Sequence, residues 1–506
     1  MADAAVIDQE IVRLQLRMNG LFREMQGLKD IRLRKQKEAD CFKAFLSPVR
    51  LIPSEILARI FSYCCSGEFR PRLDSSPLRL GHVCSLWRNA AVNSPGLWDT
   101  LLMNFFKWSD LSSNPRRLRG LLSFWFTNAS IRSLTLALSA DRYYQGPQVI
   151  LEELRPFSAR ISTLRLETGE IRSLAPFLHL PGGHIPSLAT LSLYANGAGT
   201  GTPITVFDSA QCLQAVLLAI DPVIIGDTSH FIFPWSQLTR LDIRRRLPLG
   251  VWYNIFLQCV HLHDGAFFLA WDVDFNPGTG HPVPVIYERL LRLKIEKGPA
   301  QDVSLFENLS LPALQFLDYA GEMTDDDAFP MTTHVLPHIS SSTIRFLILA
   351  QVEVDVVDFI NFLLGCSLLE RHAFDFLDVD HGNLLQSLIR ALQSRLFLPV
   401  LSHFAVFIPS PDLVDYPFYP SAIIDLIEEL CGAPRPRQPD EISVYVYQTI
   451  NPETGDNYEV DEAAEKLVRR IRGKYYDEGV SESAMVVDSG LDLSSTLCWK
   501  PRGMGL

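Results

Sequence analysis

A recurrence constrains this chain more than any other feature. From residue 131 onward the pattern apolar-x-x-apolar-x-apolar returns again and again. Clear copies are Ile131/Leu134/Leu136, Ile161/Leu164/Leu166, Leu188/Leu191/Leu193, Leu213/Val216/Leu218 and Leu238/Leu241/Ile243. Leu290/Leu293/Ile295, Leu314/Leu317/Tyr319, Ile344/Leu347/Leu349 and Leu401/Phe404/Val406 continue the series. Weaker copies start at Leu262 and Leu369, and successive first positions are 24 to 32 residues apart. In each copy the two closely spaced apolar residues point to one side of a short strand, because strand side chains alternate. Segments such as Val251–Phe256 and Val357–Leu364 read as helical returns. No such unit can bury its apolar side alone, so the units must stack into one continuous core.

The chain has 506 residues, enough for about two to four domains or one long array. The period resembles that of leucine-rich repeats, but the Asn usual after each strand is missing, so the repeats are degenerate. That resemblance implies an α/β solenoid over residues 131–431. An ordinary α/β domain with several buried strands is the alternative. Beyond residue 431 the regularity fades. Ser443–Tyr447 reads as one last strand, Asp461–Tyr475 as a charged helix and 477–506 as a frayed tail.

Residues 4–45 contain no proline, and Ile7, Ile11, Leu14, Met18, Leu21, Met25 and Leu28 step by three and four. This is an a/d seam of about three heptads that fades at Arg32 and Lys35. Either the helix self-associates through residues 7–28, or it docks on its own chain. The cluster Arg32–Lys37 reads as a solvated helix face, a nuclear signal or an anionic contact. Leu46-Ser47-Pro48 ends the helix.

A compact segment follows. Pro53 suits a first helical position and Glu55 complements the helix dipole. Ile52, Ile56, Leu57, Ile60 and Phe61 are expected on one face of this helix. After a polar loop, Ser66–Ser76, a second helix is expected with Leu80, Val83, Cys84, Trp87 and Ala91 on one face. Pro95-Gly96 breaks it before Leu97-Trp98. Taken in order, Ile52, Pro53, Glu55, Ile56, Leu57, Ile60, Phe61, Val83, Cys84, Trp87, Arg88, Pro95, Leu97 and Trp98 resemble an F-box. Ile52 replaces the usual Leu, and the loop between the helices is longer than the family norm. The heptad helix joined through Leu-Ser-Pro resembles the architecture of many F-box proteins of mushroom-forming fungi. So small a segment buries too little to be robust alone, yet it is dense in Trp and aliphatic residues. Some of these, Trp98 among them, either complete a core with a partner or pack on the domain behind.

The F-box resemblance implies a substrate receptor of an SCF (Skp–cullin–F-box) ubiquitin ligase. Ile52, Pro53, Glu55, Ile56, Leu57, Ile60, Phe61, Val83, Cys84, Trp87 and Trp98 would bind the Skp adaptor, and through it a cullin. The repeats would bind a protein target. Such a chain does no bond chemistry; it raises local concentration. A non-ligase interaction scaffold is the alternative. The organisation expected is a heptad helix over 1–46, an F-box over 47–101, connecting helices over 102–130, the solenoid over 131–431 and a capping strand, helix and tail over 432–506. Alternation sends Arg240, Asp242 and Arg244, and likewise Arg292, Lys294 and Glu296, to the strand-lined face, with Arg165 upstream. These form a candidate basic strip for an acidic or phosphorylated segment. Apolar outward groups such as Ala215, Leu217 and Phe346 offer an alternative surface.

Composition narrows the rest. The net charge is −12, from 46 Lys+Arg against 58 Asp+Glu, which argues against a dedicated nucleic-acid binder. Nine cysteines, odd in number and without a C-x-x-C pair, read as reduced thiols, and with no signal peptide in Met1–Glu10 the expected location is cytoplasmic or nuclear. Apolar runs such as Ala215–Ile220 are too short to cross a bilayer. Gly197–Thr202 lacks the Lys-Ser/Thr of a phosphate loop, and His261 and His263 lack metal-ligand company. No cofactor or metal is expected.

Overall fold

In the computed structural model the described residues are 2–45, 48–65, 77–104, 115–140, 154–178, 183–197, 203–226, 231–270, 285–296, 306, 308–321, 335–350, 352, 354–375, 381–393, 397–408, 425–426, 441–446 and 485–489. The fold is mixed α/β. Its backbone clusters into two units, residues 1–103 with 124–132, and residues 104–123 with 133–506.

The first unit opens with α1 (Ala2–Phe45), a single helix of 44 residues that stops where Leu46-Ser47-Pro48 predicts. Then come α2 (Ser54–Cys64), α3 (Pro77–Val83) and α4 (Ser85–Val92). Two expectations need correction here. Pro53 caps α2 rather than starting it: its carbonyl accepts from the amides of Ile56 and Leu57. The second predicted helix is two helices, because Cys84 is extended at φ −159° and ψ 173°. Gly81 and β-branched Val83 weaken the run there, and Arg88 Nε donates to the Gly81 carbonyl at 2.8 Å. That bond satisfies a helix-end acceptor that a continuous helix would have used itself. The expected loop 66–76 lies outside the described residues.

Residues 102–130 are not purely helical. Thr100–Asn104 is strand β1, with Leu101 and Met103 buried, and a helix spans Pro115–Asn128.

In the second unit the recurrence becomes a large parallel sheet. Its strands are β2 (Leu134–Ala140), β3 (Ile161–Thr168), β4 (Thr190–Tyr194), β5 (Ala215–Ala219), β6 (Arg240–Pro248) and β7 (Asp264–Ala270). A short β8 (Val285–Ile286) pairs with β10 (Leu309–Ser310) in a separate two-stranded sheet. The sheet continues with β9 (Arg292–Glu296), β11 (Phe316–Ala320), β12 (Phe346–Ala350), β13 (Arg371–Asp375) and β14 (His403–Ile408). β15 (Glu441–Val446) and β16 (Met485–Ser489) extend it. Strand order follows chain order in one line that does not close into a barrel. β16 falls where a frayed tail was expected; the predicted helix over 461–475 lies outside the described residues.

The register is continuous. Leu136, Leu164, Leu191, Val216, Leu241, Gly265, Leu293, Leu317, Leu347, His372 and Phe404 stand side by side across the sheet, and Ile442 and Met485 prolong the row. The first apolar position of each unit, from Ile161 to Leu401, is also buried. Ile131 is the exception, at 92% exposed. In this first unit Leu134 pairs with Ile161, and a register shift follows at Thr135. Leu134, Leu136 and Leu138 are therefore the inward residues, and Ile131 stands outside the unit.

At the strand entrances, main-chain groups join the units. The amides of Thr239 and Arg240 both donate to Gln214, those of His263 and Asp264 to Thr239, and those of Leu291 and Arg292 to His263. The same forked bond recurs at Gln315, Arg345, Glu370 and Ser402. Helices Leu249–Gln258 and Val356–Gly365 are the predicted returns, and Trp252, Phe256 and Phe359 on them are fully buried.

Candidate functional site

The F-box-like residues divide into an inner and an outer set. On α2, Leu57 and Phe61 are one turn apart and each only 1% exposed. Phe61 meets the Trp87 ring of α4 at 5.0 Å. One residue round the helix, Ile56 and Ile60 form a second stripe, 50% and 42% exposed. The single apolar face read from the sequence is therefore two adjacent faces, one covered and one bare. Val83, at the end of α3, is also exposed, as are Pro53 and Glu55; Ile52, Cys84 and Trp87 are half-buried. Trp98 is inside. Its Nε1 donates to the Ala91 carbonyl at 2.8 Å, and its ring meets Trp125 edge-on at 5.0 Å. Leu57, Phe61 and Trp98 hold this unit together and offer no surface.

The strand-lined face brings the predicted charges together, but not as a bare basic strip. Across neighbouring strands Arg240, Asp264 and Arg292 are in register, as are Asp242, Ala266, Lys294 and Asp318. Three of the arginines have an internal carboxylate: Arg240–Asp264 at 3.3 Å, Arg244–Asp242 at 3.0 Å and Arg165–Glu167 at 3.5 Å. Lys294 has two, Glu296 at 2.9 Å and Asp318 at 3.3 Å. Burial pushes the Asp318 carboxyl up to about 6 against the pull of Lys294. Burial also works against the Lys294 ammonium, but Asp318 and Glu296 more than offset it and hold its pKa above the ordinary value. Past Ile243 the register of β6 shifts, which leaves Arg244, Arg245 and Arg246 exposed together.

Alternation also marks an aromatic row that sequence reasoning caught only at Phe346. Arg292 lies over the Phe316 ring at 5.7 Å, Phe316 meets Phe346 at 5.8 Å, and Arg371 lies over Phe346 at 5.6 Å. All four are in register on β9, β11, β12 and β13. The signal was the residue just before the second apolar position of each unit, read for charge rather than for aromatic stacking. Phe316 and Phe346 are half-buried, whereas Asp318 and Ala320, further along the same side of β11, are buried. Two arginines closing on a pair of rings make a platform that favours planar or anionic groups through cation–π and paired-donor contacts.

No protein-family model matches the chain, and no curated protein matches it. No described helix is long and apolar enough to cross a membrane.

Proposed function

We propose that this chain is the substrate receptor of an SCF-type ubiquitin ligase, a non-catalytic subunit of the cytoplasm or nucleus. The F-box-like unit binds the Skp adaptor and the repeats, stacked as a leucine-rich-repeat-like solenoid, bind the target. One observation carries the reading. Ile56, Ile60 and Val83 lie at F-box positions and are exposed, while their neighbours Leu57 and Phe61 close the core. A small unit that spends its inner residues on its own packing and leaves a second apolar stripe bare has the composition of an interface centre.

On the repeat side, the internal carboxylates neutralise much of the basic strip, so the reading shifts toward the Arg292–Phe316–Phe346–Arg371 row as the target platform. Interface hot spots are enriched in aromatic residues and Arg. Affinity purification of the full chain tests the whole proposal. The Skp adaptor and a cullin should co-purify, and both should be lost in Ile56→Asp with Ile60→Asp. Recovery of the adaptor without a cullin would instead make the chain a scaffold outside a ligase.

A further inference from the structure

The long helix α1 leaves its whole seam uncovered. Ile7, Ile11, Leu14, Met18, Leu21, Met25 and Leu28 are each at least 42% exposed. The expectation that this helix docks on its own chain is therefore not met along the seam. Phe22 and Ile31, on either flank, widen the apolar strip and are exposed too. A helix draws most of its stability from packing an apolar face, so a bare seam of this length calls for an occupant.

We propose that the occupant is a second copy of α1, and that the two copies run antiparallel. Charge decides the direction. In heptad terms Ile11, Met18 and Met25 hold a positions, Ile7, Leu14, Leu21 and Leu28 hold d positions, and Arg32 and Lys35 hold the next a and d. A parallel pair brings each seam position against itself, so Arg32 would face Arg32 and Lys35 would face Lys35. Opposite direction removes that clash. With Met18 against Leu21 at the centre, Leu14 meets Met25 and Ile11 meets Leu28, each twice by symmetry. The next layer sets Arg32 against Ile7 of the second copy, beside that copy's acidic Asp8 and Glu10.

The flanking positions agree. In an antiparallel pair each flank meets its own kind, e with e and g with g. Over residues 8–31 this register pairs Asp8 with Lys29 and Arg17 with Glu24, each twice, and brings no like charges together; its one like-charged flanking pair is Asp3 with Glu38, at the ends of the overlap. The remaining flanking pairs, Gln15 with Phe22 and Glu10 with Ile31, carry no repulsion. Over residues 8–31 a parallel pair would gain only Glu24 with Lys29 and would leave Arg17 against Phe22; further out it would set Asp3 against Asp8 and Glu38 beside Lys43. Gly20 and Gly27 fall at c, away from the seam, and a Cβ at either would point into open space. The inference stands apart from the ubiquitin-ligase reading, since it uses α1 alone.

Sedimentation equilibrium of the full chain tests it. The native chain should be a dimer in reversible equilibrium with monomer. Met18→Asp with Leu21→Asp should leave only monomer. Asp8→Lys with Arg17→Glu sets like charges together at four places in the antiparallel register, and should weaken the dimer about tenfold or more. In a parallel pair the same two changes would bring no like charges together. Adding Glu24→Arg and Lys29→Glu to that variant should restore the dimer. Circular dichroism of each variant should retain the strand signal of the sheet, showing that the rest of the chain is folded. A native chain that stays monomeric would overturn the proposal. So would a dimer that survives Met18→Asp with Leu21→Asp, or one indifferent to Asp8→Lys with Arg17→Glu.

Discussion

Lys294 and Asp318 occupy directly opposed positions on adjacent parallel strands, with Nζ 3.3 Å from Oδ2. The pair lies on the side of the sheet away from the leucine rows, yet Asp318 is only 2% exposed and its Oδ1 has no hydrogen-bond partner among the described residues. Half of this carboxylate is paired and half is stranded in a low-dielectric setting. The desolvation cost outweighs the attraction of one ammonium, which is why the carboxyl holds its proton to about pH 6.

A raised carboxyl pKa makes the folded state the better proton binder. Between the unfolded pKa of 3.8 and the folded value of about 6, Asp318 therefore erodes stability as pH rises. Above that window the loss is complete, on the order of 1–3 kcal/mol. Asp318→Asn removes the ionisation. The difference in urea midpoint between variant and native chain should move in favour of the variant from pH 4 to pH 6 and then level off. A difference constant across that range would show that Asp318 titrates as in the unfolded chain.

His372 works in the opposite sense. It occupies a leucine place in the inward row, between Leu347 and Phe404. Its Nδ1 donates to the Leu347 carbonyl at 3.1 Å, while Nε2 has no partner among the described residues. Burial lowers its pKa from 6.5 to about 4. The folded state then prefers the neutral ring, so the stability it holds above pH 6.5 is lost as pH falls toward 4. His372→Leu should flatten that acid-side decline and match or exceed the native melting temperature at pH 5. Since Asp318 and His372 slope oppositely in overlapping windows, each shows in a difference curve against its own variant rather than in the native curve.

The strands were legible because a two-residue alternation repeated at a near-regular step leaves few registers that bury every leucine. What stayed hidden was decided by neighbours. Nothing in Ile131/Leu134/Leu136 distinguishes it from the other units until a register shift at Thr135 sets Leu136 beside Leu164. The fold tolerates Gly265 and His372 at leucine places because adjoining aromatic rings fill the space, which no local pattern encodes. Likewise the seam of α2 looked like one stripe because helical spacing alone cannot say which of two adjacent faces is covered. The break at Cys84 depends on Arg88 reaching back to Gly81, a contact across a turn. The charge pairs on the strand-lined face were invisible for a simpler reason: Arg240 and Asp264, or Lys294 and Asp318, are neighbours only after folding.

Gly265 gives a counterintuitive expectation. Its row is otherwise filled by larger side chains, so a repeat consensus would suggest Leu. A Cβ there would lie 2.9 Å from Phe267 Cε2 and 3.0 Å from Leu262 Cδ2. Those side chains already occupy the space, and overpacking of this kind costs about 1–3 kcal/mol. Gly265→Leu should lower the urea midpoint, and Gly265→Ala should do so less. A stabilised Leu variant would mean that Phe267 swings aside at little cost.

On α2, neighbouring substitutions should separate folding from binding. Leu57→Ala empties a fully buried site and should cost about 2–4 kcal/mol of stability. Ile56→Ala, on the exposed stripe, should change stability by no more than about 0.5 kcal/mol, yet weaken capture of the Skp adaptor. Trp87→Ala should do both, losing its contact with Phe61 and weakening adaptor binding on the order of 30-fold. Thermal melts beside calorimetric titration with the purified adaptor would read the two effects. Equal affinity for native chain and Ile56→Ala would move the docking surface off this stripe.

The last expectation chooses between two ways the strand-lined face could read a target. If bare charge were the reader, Arg240→Gln with Arg244→Gln would remove it. Both cations, however, already sit on carboxylates, at 3.3 Å from Asp264 and 3.0 Å from Asp242. A target acid would have to compete with those internal partners, and exposed ion pairs of this kind are worth little to begin with, about 0–1 kcal/mol each. The Phe316–Phe346 pair offers ring surface rather than charge, so no internal carboxylate has to be displaced from the rings themselves. Its rings meet at 5.8 Å, half-buried, with Arg292 and Arg371 closing the ends. Phe316→Ala with Phe346→Ala should therefore strip the target set from an affinity purification while the Skp adaptor stays bound. Arg240→Gln with Arg244→Gln should leave that set largely intact. The opposite ranking would return the reading surface to the basic strip, and survival of the target set in both variants would place recognition elsewhere on the repeats.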